Sequence, residues 1–537
     1  MARQRVVVIG AGMGGLVAAL ELAHQGVEVL VLEAGAEPGG KMRRVHIGNA
    51  TLDAGPTVFT MRSVFDALFD AVGEQLADHL SLHPVSALAR HAWTDSVQLD
   101  LYADTARSAE AIGDFAGASE AARYLAFCRR ARLIYQTLDQ PFIQSSRPNP
   151  VSLAARVGRR GLAGLTRISP FGSMWNALGD YFHDPRLRQV FGRYATYCGS
   201  SPFMAPATLM LVAHVEQDGV WLLEGGMHRL ATTLADLAGQ RGASFRYGTS
   251  VQEVLVRNGR ACGVRLASGE TLEAAAVVFN GDAAALAGGL LGDAATRAVA
   301  APPASGRSLS ALTWNLVAPT RGFDLLRHNV FFSDDYEAEF DDVFKQSRLP
   351  GEPTVYVCAQ DRGDAVGSGS TNSNSGDSSL DGSRSSNLQG SDTVAAPAER
   401  LLCLVNAPAT ADDRGLDADA LARCEEAAFN RLARCGLEID RDTGHTLRTT
   451  PADFHRMFPA TGGALYGQAS HGWMASFRRP GARSRLAGLY LAGGSAHPGP
   501  GVPMAALSGR QAAASVLADW GDAHRAENGT PRDDSRL

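Results

Sequence analysis

Arg5-Val6-Val7-Val8-Ile9-Gly10-Ala11-Gly12-Met13-Gly14-Gly15 opens the first structured unit of the chain, and its reading decides the fold. The apolar, β-branched run suits a strand buried on both faces of a parallel sheet. The stretch from Gly10 to Gly15 satisfies G-x-G-x-x-G. Leu16 to His24 then reads as a helix closed by Gly26, and Val27 to Leu32 as a second buried strand ending at Glu33. Each piece has a task in holding a dinucleotide. Gly10 permits the tight turn, Gly12 lets a pyrophosphate approach the backbone, and Gly15 lets the helix pack on the strand. The helix N-terminus offers free N–H groups and a positive dipole end to the phosphates. Glu33 follows about 20 residues after the first glycine, where an acid can grip a ribose hydroxyl. A lone glycine fingerprint says little, but here strand, glycines, helix, strand and acid stand in order in one βαβ unit.

The next segment separates the possible dinucleotides. Pro38-Gly39-Gly40-Lys41-Met42-Arg43 is a second glycine turn followed by basic residues, and Asp53-Ala54-Gly55-Pro56-Thr57 comes soon after. Pyridine nucleotide domains do not usually need this extension. It resembles the Gly-Gly-Lys/Arg segment that flavoproteins of the amine oxidase and phytoene desaturase kind carry beside the flavin, and so implies FAD. The plainer reading of Lys41 and Arg43 is an exposed charged loop.

The remaining chain is long enough, at 537 residues, for two or more packed domains. Hydrophobic residues make up 45% and the net charge is -6, which describes a large core and gives no reason to expect nucleic acid. Seven scattered cysteines form no CxxC pair and no metal-spaced cluster, so neither a disulfide framework nor a metal is expected. Met1 to Arg5 leads straight into the strand, so no signal peptide is expected. No run approaches the ~18–20 apolar residues of a membrane span.

Residues 64–140 alternate amphipathic helical stretches with short strands such as Val97 to Leu101, and 151–200 read as mostly helical. Ser250 to Val256, a turn at Asn258-Gly259 and Cys262 to Leu266 read as a hairpin. Ala276 to Asp282 is a further buried strand ending in a turn. The Ser-, Gly- and Asn-rich stretch 364–398 has too few apolar residues to offset its ordering entropy and is expected to be a disordered insertion. A disordered tail is expected from 523, its polar composition clearest from Asn528.

Near the C-terminus, Gly488-Leu489-Tyr490-Leu491-Ala492-Gly493-Gly494-Ser495 reads as a strand and glycine turn. His497-Pro498-Gly499-Pro500-Gly501-Val502-Pro503-Met504 then enters a helix, Ala505 to Trp520. This stretch closely resembles the signature of bacterial-type phytoene desaturases, with Pro500 where that family usually carries a small residue. The resemblance takes in Gly10–Glu33 and the region from Ser200 to Met227, and covers essentially the whole chain except the insertion. Pro206-Ala207-Thr208-Leu209-Met210 and His214 to Trp221 look most like the hydroxycarotenoid 3,4-desaturases of purple bacteria.

The resemblance implies an α/β fold: a Rossmann-like FAD-binding domain of the amine oxidase/phytoene desaturase type, interleaved with a mixed sheet-plus-helix substrate domain. FAD-binding parts are expected at 1–90, 216–300 and 456–522, and substrate parts at 91–215 and 301–455. It also implies cofactor contacts by Ala34, Gly40, Lys41, Pro56, Thr57, Val251 (at the adenine end), Gly494, Val502 and Met504, beside Gly10, Gly12, Gly15 and Glu33. The expected reaction is desaturation of a long apolar carotenoid, with oxygen or a quinone reoxidising the flavin. Phytoene desaturation, carotene isomerisation, an amine oxidase or protoporphyrinogen oxidase relative acting on a polar or tetrapyrrole substrate, and a non-catalytic isoprenoid carrier are the other readings. No catalytic base is assigned. His497 is one candidate to take a proton, or it shapes the turn through a hydrogen bond. Glu216 and His214 either recognise a substrate hydroxyl or form a structural link. Arg156, Arg159, Arg160 and Arg167, interleaved with Leu162, Leu165, Ile168, Phe171 and Trp175, suit either an interfacial lipid contact or a solvated helix face. Peripheral attachment to the cytoplasmic side of the inner photosynthetic membrane is the expected location.

Overall fold

Parallel pairing starts from the opening strand Arg5–Ile9, which takes Glu28–Leu32 on one side and Ala276–Phe279 on the other. Ser244–Arg246 and Leu489–Leu491 complete a five-stranded sheet in the computed structural model. The structure describes residues 5–94, 96–146, 149–150, 153, 172–363 and 397–527. The β-branched run is explained by both faces being covered. Val6 and Val8 enter the core beneath the helices Met13–His24 and Val502–Glu527, while Val7 enters the core under an antiparallel meander. Burial of each such side chain is worth roughly 2 kcal/mol.

That meander is Val251–Arg257, Arg260–Leu266 and Thr271–Glu273. Its first turn places Asn258 at φ 50° and Gly259 at φ 77°, the left-handed pair that a two-residue hairpin requires. The C-terminal helix is longer than its composition suggests. It begins at Val502 and runs through Glu527, so the tail expected from 523 starts as helix.

The second layer is a mixed seven-stranded sheet, ordered His445–Thr449, Ser310–Ala318, Glu399–Ala407, Val355–Ala359, His328–Phe331, Ala87–Ala92 and Gln98–Tyr102. Two-residue periodicity splits its faces. Leu401, Cys403 and Val405 pack with Trp314, Val357 and helix Ala418–Arg434. Leu402, Leu404 and Asn406 face the other way, into a cavity. Because Ala87–Ala92 belongs to this sheet, the expected boundary at 90 falls inside one of its strands.

The arginines and apolar residues of the expected interfacial stretch, except Trp175, lie outside the described residues. So do 364–396 of the insertion and 528–537 of the tail. Pro397 and Ala398 form an exposed lead into strand Glu399–Ala407. Trp175 packs against Phe203 and under the Arg188 guanidinium. Among the described residues no helix is long and apolar enough to cross a membrane.

Candidate active site

The glycine turn is crowded by backbone. Gly10 takes φ 95° and donates to the Leu32 carbonyl at 2.8 Å. A Cβ on Gly15 would stand 2.1 Å from the Gly10 oxygen, and one on Gly14 would stand 2.5 Å from the Gly493 nitrogen. A Cβ on Gly509 would lie 2.3 Å from the Gly14 oxygen. Without side chains there, the first and C-terminal helices approach closely, and Met13 and Val502 at their N-termini line the same cavity. Two helix dipoles therefore point their positive ends at one space.

Glu33 lies at the end of its strand. One carboxylate oxygen accepts from the Ala11 N–H at 2.6 Å and the other from Gly35 at 2.7 Å. Each oxygen keeps a further lone pair for a hydroxyl. The second glycine turn lies against the first: Gly39 donates to Ala11 at 2.9 Å, and a Cβ on Gly40 would stand 3.2 Å from the Gly12 Cα. Lys41 is no surface charge, for its ammonium donates to the Leu465 carbonyl at 2.5 Å. Burial lowers its pKa, against the opposing charge of Asp282.

These pieces border one cavity of about 1100 Å³. Gly10, Gly12, Glu33, Ala34, Gly40, Lys41, Pro56, Thr57, Val251, Gly494, Val502 and Met504 all line it. Glycine backbone, paired helix N-termini and a carboxylate at a strand end are a donor set that fits a dinucleotide diphosphate and its ribose.

Three candidates lie outside that lining. Gly15 sits beneath the first helix, where the 2.1 Å clearance makes it a packing residue. His497 is buried, its Nε2 2.9 Å from the Phe142 carbonyl and its ring edge-on to Phe142. Burial lowers its pKa to about 4. His214 also misses the cavity lining and packs edge-on against Tyr135. Glu216 does line the cavity, but it accepts hydrogen bonds from the Tyr194 and Tyr197 hydroxyls.

Other residues were not singled out from the sequence. Asn280 follows a buried strand and donates to the Gly10 carbonyl at 3.2 Å, so it packs the turn from beneath. Its signal was an amide directly after an apolar strand. Arg479, nearly fully buried, donates to the carbonyls of Tyr466, Gln468 and Gly494 and so ties down the C-terminal glycine turn. Asp53 accepts from the Met227 and His228 N–H groups, and a Cβ on Gly226 would stand 2.4 Å from its Oδ2. Asp53 opens a segment quoted from the sequence, but its partners lie more than 170 residues away, so its role was not legible there.

Past the glycine-lined end, the wall becomes apolar, with Leu138, Ile143, Leu209, Val212, Val330 and Leu402. Trp473 and Met457 line the cavity and are also exposed, which places them at its mouth.

Residues 13–307 match the flavin containing amine oxidoreductase family. The chain is 55% identical over 515 residues to a hydroxyneurosporene desaturase of Rubrivivax gelatinosus, covering 96% of this chain and 93% of that one. A hydroxyneurosporene desaturase of Cereibacter sphaeroides is 43% identical, with 96% and 98% covered. Among solved structures, a triple mutant of putrescine oxidase superposes with a TM-score of 0.58 at 14% identity, covering 96% and 99%. An oxidoreductase from Methanosarcina mazei gives 0.55 at 16% identity, covering 96% and 100%.

Proposed function

The chain belongs to the flavin-containing amine oxidoreductases and, within them, to the carotenoid desaturases, and we propose that it introduces the C-3,4 double bond into an acyclic 1-hydroxy or 1-methoxy carotenoid. FAD is its cofactor. When bound, FAD supplies the hydride acceptor for removing two hydrogens from adjacent carbons. The observation that carries the proposal is one continuous cavity, with a dinucleotide-type cradle at one end and an apolar wall at the other.

The residues divide the work. Gly10, Gly12 and the two helix N-termini hold the diphosphate, and Glu33 holds a ribose hydroxyl. Ala34, Gly40, Lys41, Pro56, Thr57, Val251, Gly494 and Met504 complete the cofactor contacts. Leu402, Leu404 and Val330 on the seven-stranded sheet, facing Leu209 and Val212, exclude water and align the polyene. We assign His497 the turn-shaping role, because its ring bonds the Phe142 carbonyl and does not itself line this space.

A polyene of this length dissolves in lipid, and Trp473 and Met457 at the cavity mouth suit contact with a bilayer surface. The proposed location is therefore the cytoplasmic face of a photosynthetic membrane, with oxygen or a quinone taking the electrons.

The test is anaerobic incubation of the FAD-loaded protein with liposomal 1-hydroxyneurosporene and, separately, phytoene, followed by absorption spectra and mass. The expected result is loss of two hydrogens and a red shift from the hydroxylated substrate alone. Turnover of phytoene alone would transfer the chain to the phytoene desaturases. Unchanged masses with both would leave isomerisation or carriage.

A further inference from the structure

The apolar cavity contains one polar island that the cofactor and the hydrocarbon part of the substrate leave unused. Arg193 lines the cavity, stacks over the rings of Tyr197 at 5.3 Å and Tyr356 at 5.2 Å, and donates one side-chain hydrogen bond, to the Tyr197 hydroxyl at 3.0 Å. Among the described residues it forms no ion pair. The two carboxylates whose charge reaches it are engaged elsewhere: Glu216 by the hydroxyls of Tyr194 and Tyr197, and Glu339 by the Thr354 N–H and the Asn406 amide. Tyr336 lines the same cavity, is only 5% exposed, and its hydroxyl has no partner among the described residues. A guanidinium short of acceptors and an orphaned phenol in a greasy wall are costly unless a ligand satisfies them.

The island lies close to the cofactor end. The Tyr356 hydroxyl bonds Thr57 at 2.7 Å and His328 at 2.8 Å, and Thr57 belongs to the segment folded against Lys41, where a Cβ on Gly55 would stand 1.9 Å from the Lys41 oxygen. This placement matches the chemistry of the substrate. An oxygen on C1 is separated from C3 by a single methylene, so whatever reads that oxygen must sit beside the reacting bond.

We propose that Arg193 and Tyr336 form the oxygen-reading end of the cavity, both donating hydrogen bonds to the C1 oxygen of the carotenoid and so setting which bond faces the flavin. The inference rests on the proposed 3,4-desaturase activity and names how that activity selects its substrate. Arg193 is a donor only, and Tyr336 can act as one. A pair of donors accepts a hydroxyl and its methyl ether alike, because both oxygens have lone pairs. A hydrocarbon end leaves the guanidinium unpaired and is rejected.

The test compares three liposomal polyenes: the acyclic C1 alcohol, its methyl ether and the hydrocarbon lacking the oxygen. Two readouts are taken on the full-length FAD-loaded chain, kcat/KM and the absorption shift of the polyene on binding. The parent is expected to prefer both oxygenated chains by about 100-fold or more. Tyr336→Phe removes only an orphaned oxygen, so it should keep or raise the parent's thermal unfolding midpoint and lose about 10-fold of that preference. Arg193→Met should lose most of the preference, and Arg193→Lys, which keeps a cationic donor, should retain part of it. A selective parent whose preference survives in both Tyr336→Phe and Arg193→Met overturns this inference and leaves the desaturase reading standing. A parent that turns over the hydrocarbon as well as the alcohol overturns both.

Discussion

The two ends of the cavity are built from different parts of the chain. Toward the five-stranded sheet the wall is backbone: Gly10, Gly12, Gly14, Gly493 and Gly494 are there because a side chain would collide or fill the cradle. Toward the seven-stranded sheet the wall is side chain: Arg193, His328, Tyr336, Tyr356 and Asn406 project into it from separate helices and strands. The first end recognises a ligand common to many enzymes and does so with N–H groups and helix dipoles. The second must distinguish one polyene from another, and only side chains carry that information. The backbone end should therefore tolerate almost no added volume, and the side-chain end should respond in selectivity and pH behaviour.

The largest expected effect tests the first half of that contrast. Gly15→Ala improves intrinsic helix propensity by about 1 kcal/mol. Its methyl would nevertheless meet the Gly10 oxygen at 2.1 Å, and that oxygen is backbone at a tight turn, so the helix must move off the strand. Overpacking of this kind should cost several kcal/mol and abolish FAD retention, read by thermal unfolding and flavin absorbance after gel filtration. Gly239→Ala is the control. It lies in helix His228–Gln240 with nothing within 4 Å of an added Cβ, and should be neutral or stabilising by about 0.5–1 kcal/mol. Equal behaviour of the two variants would break the contrast.

A smaller effect is expected at Glu33, the carboxylate at the backbone end. Both carboxylate oxygens accept from backbone N–H groups, at Ala11 and Gly35. In Glu33→Gln one of those N–H groups would face an amide donor. FAD affinity should fall about 10- to 100-fold, equivalent to ~1–3 kcal/mol, in a fluorescence titration of the apoprotein. Unchanged affinity would show that the glycines and dipoles hold the cofactor without the acid.

The same contrast explains what could be read in the sequence. The glycine turn, Glu33, the Asn258-Gly259 hairpin and the strand at Leu489 are contiguous signals, because turn geometry and βαβ packing are decided within a few residues of each other. Most cofactor-facing positions named from the sequence therefore line the cavity. The exceptions are instructive. Gly15 packs the helix on the strand, as its place in the fingerprint implies, instead of lining the cavity, and His497 stands inside the right motif with its ring turned to Phe142, a matter of side-chain direction that spacing does not encode. Arg193, Tyr336 and Tyr356 escaped notice altogether. They come from a 3₁₀ turn, the start of a helix and the middle of a strand, and only the sheet order brings them together.

The smallest expected effect concerns acid. His91 and His328 stand on the seven-stranded sheet, buried, with pKa values lowered by burial to about 4 and about 3. The unfolded chain takes up their protons near pH 6.5, before the folded chain does, so it binds more protons between about pH 6.5 and 4. Their contribution to stability is complete above that window and is lost as pH falls through it. At pH 5.5 each should have lost about 1 kcal/mol. His91→Leu removes one titrating group while its strand pairing to Leu99 persists. Its unfolding midpoint should therefore fall less steeply between pH 7 and 5.5 than the parent's, whatever the constant offset from lost stacking on Phe332. The C-terminal glycine turn holds one such group, His497, also lowered by burial to about 4, against the two on the seven-stranded sheet, so polyene binding should weaken on acidification before flavin release begins. Simultaneous loss of both would mean that the two ends unfold as one cooperative unit, and the division between them would then be one of chemistry alone.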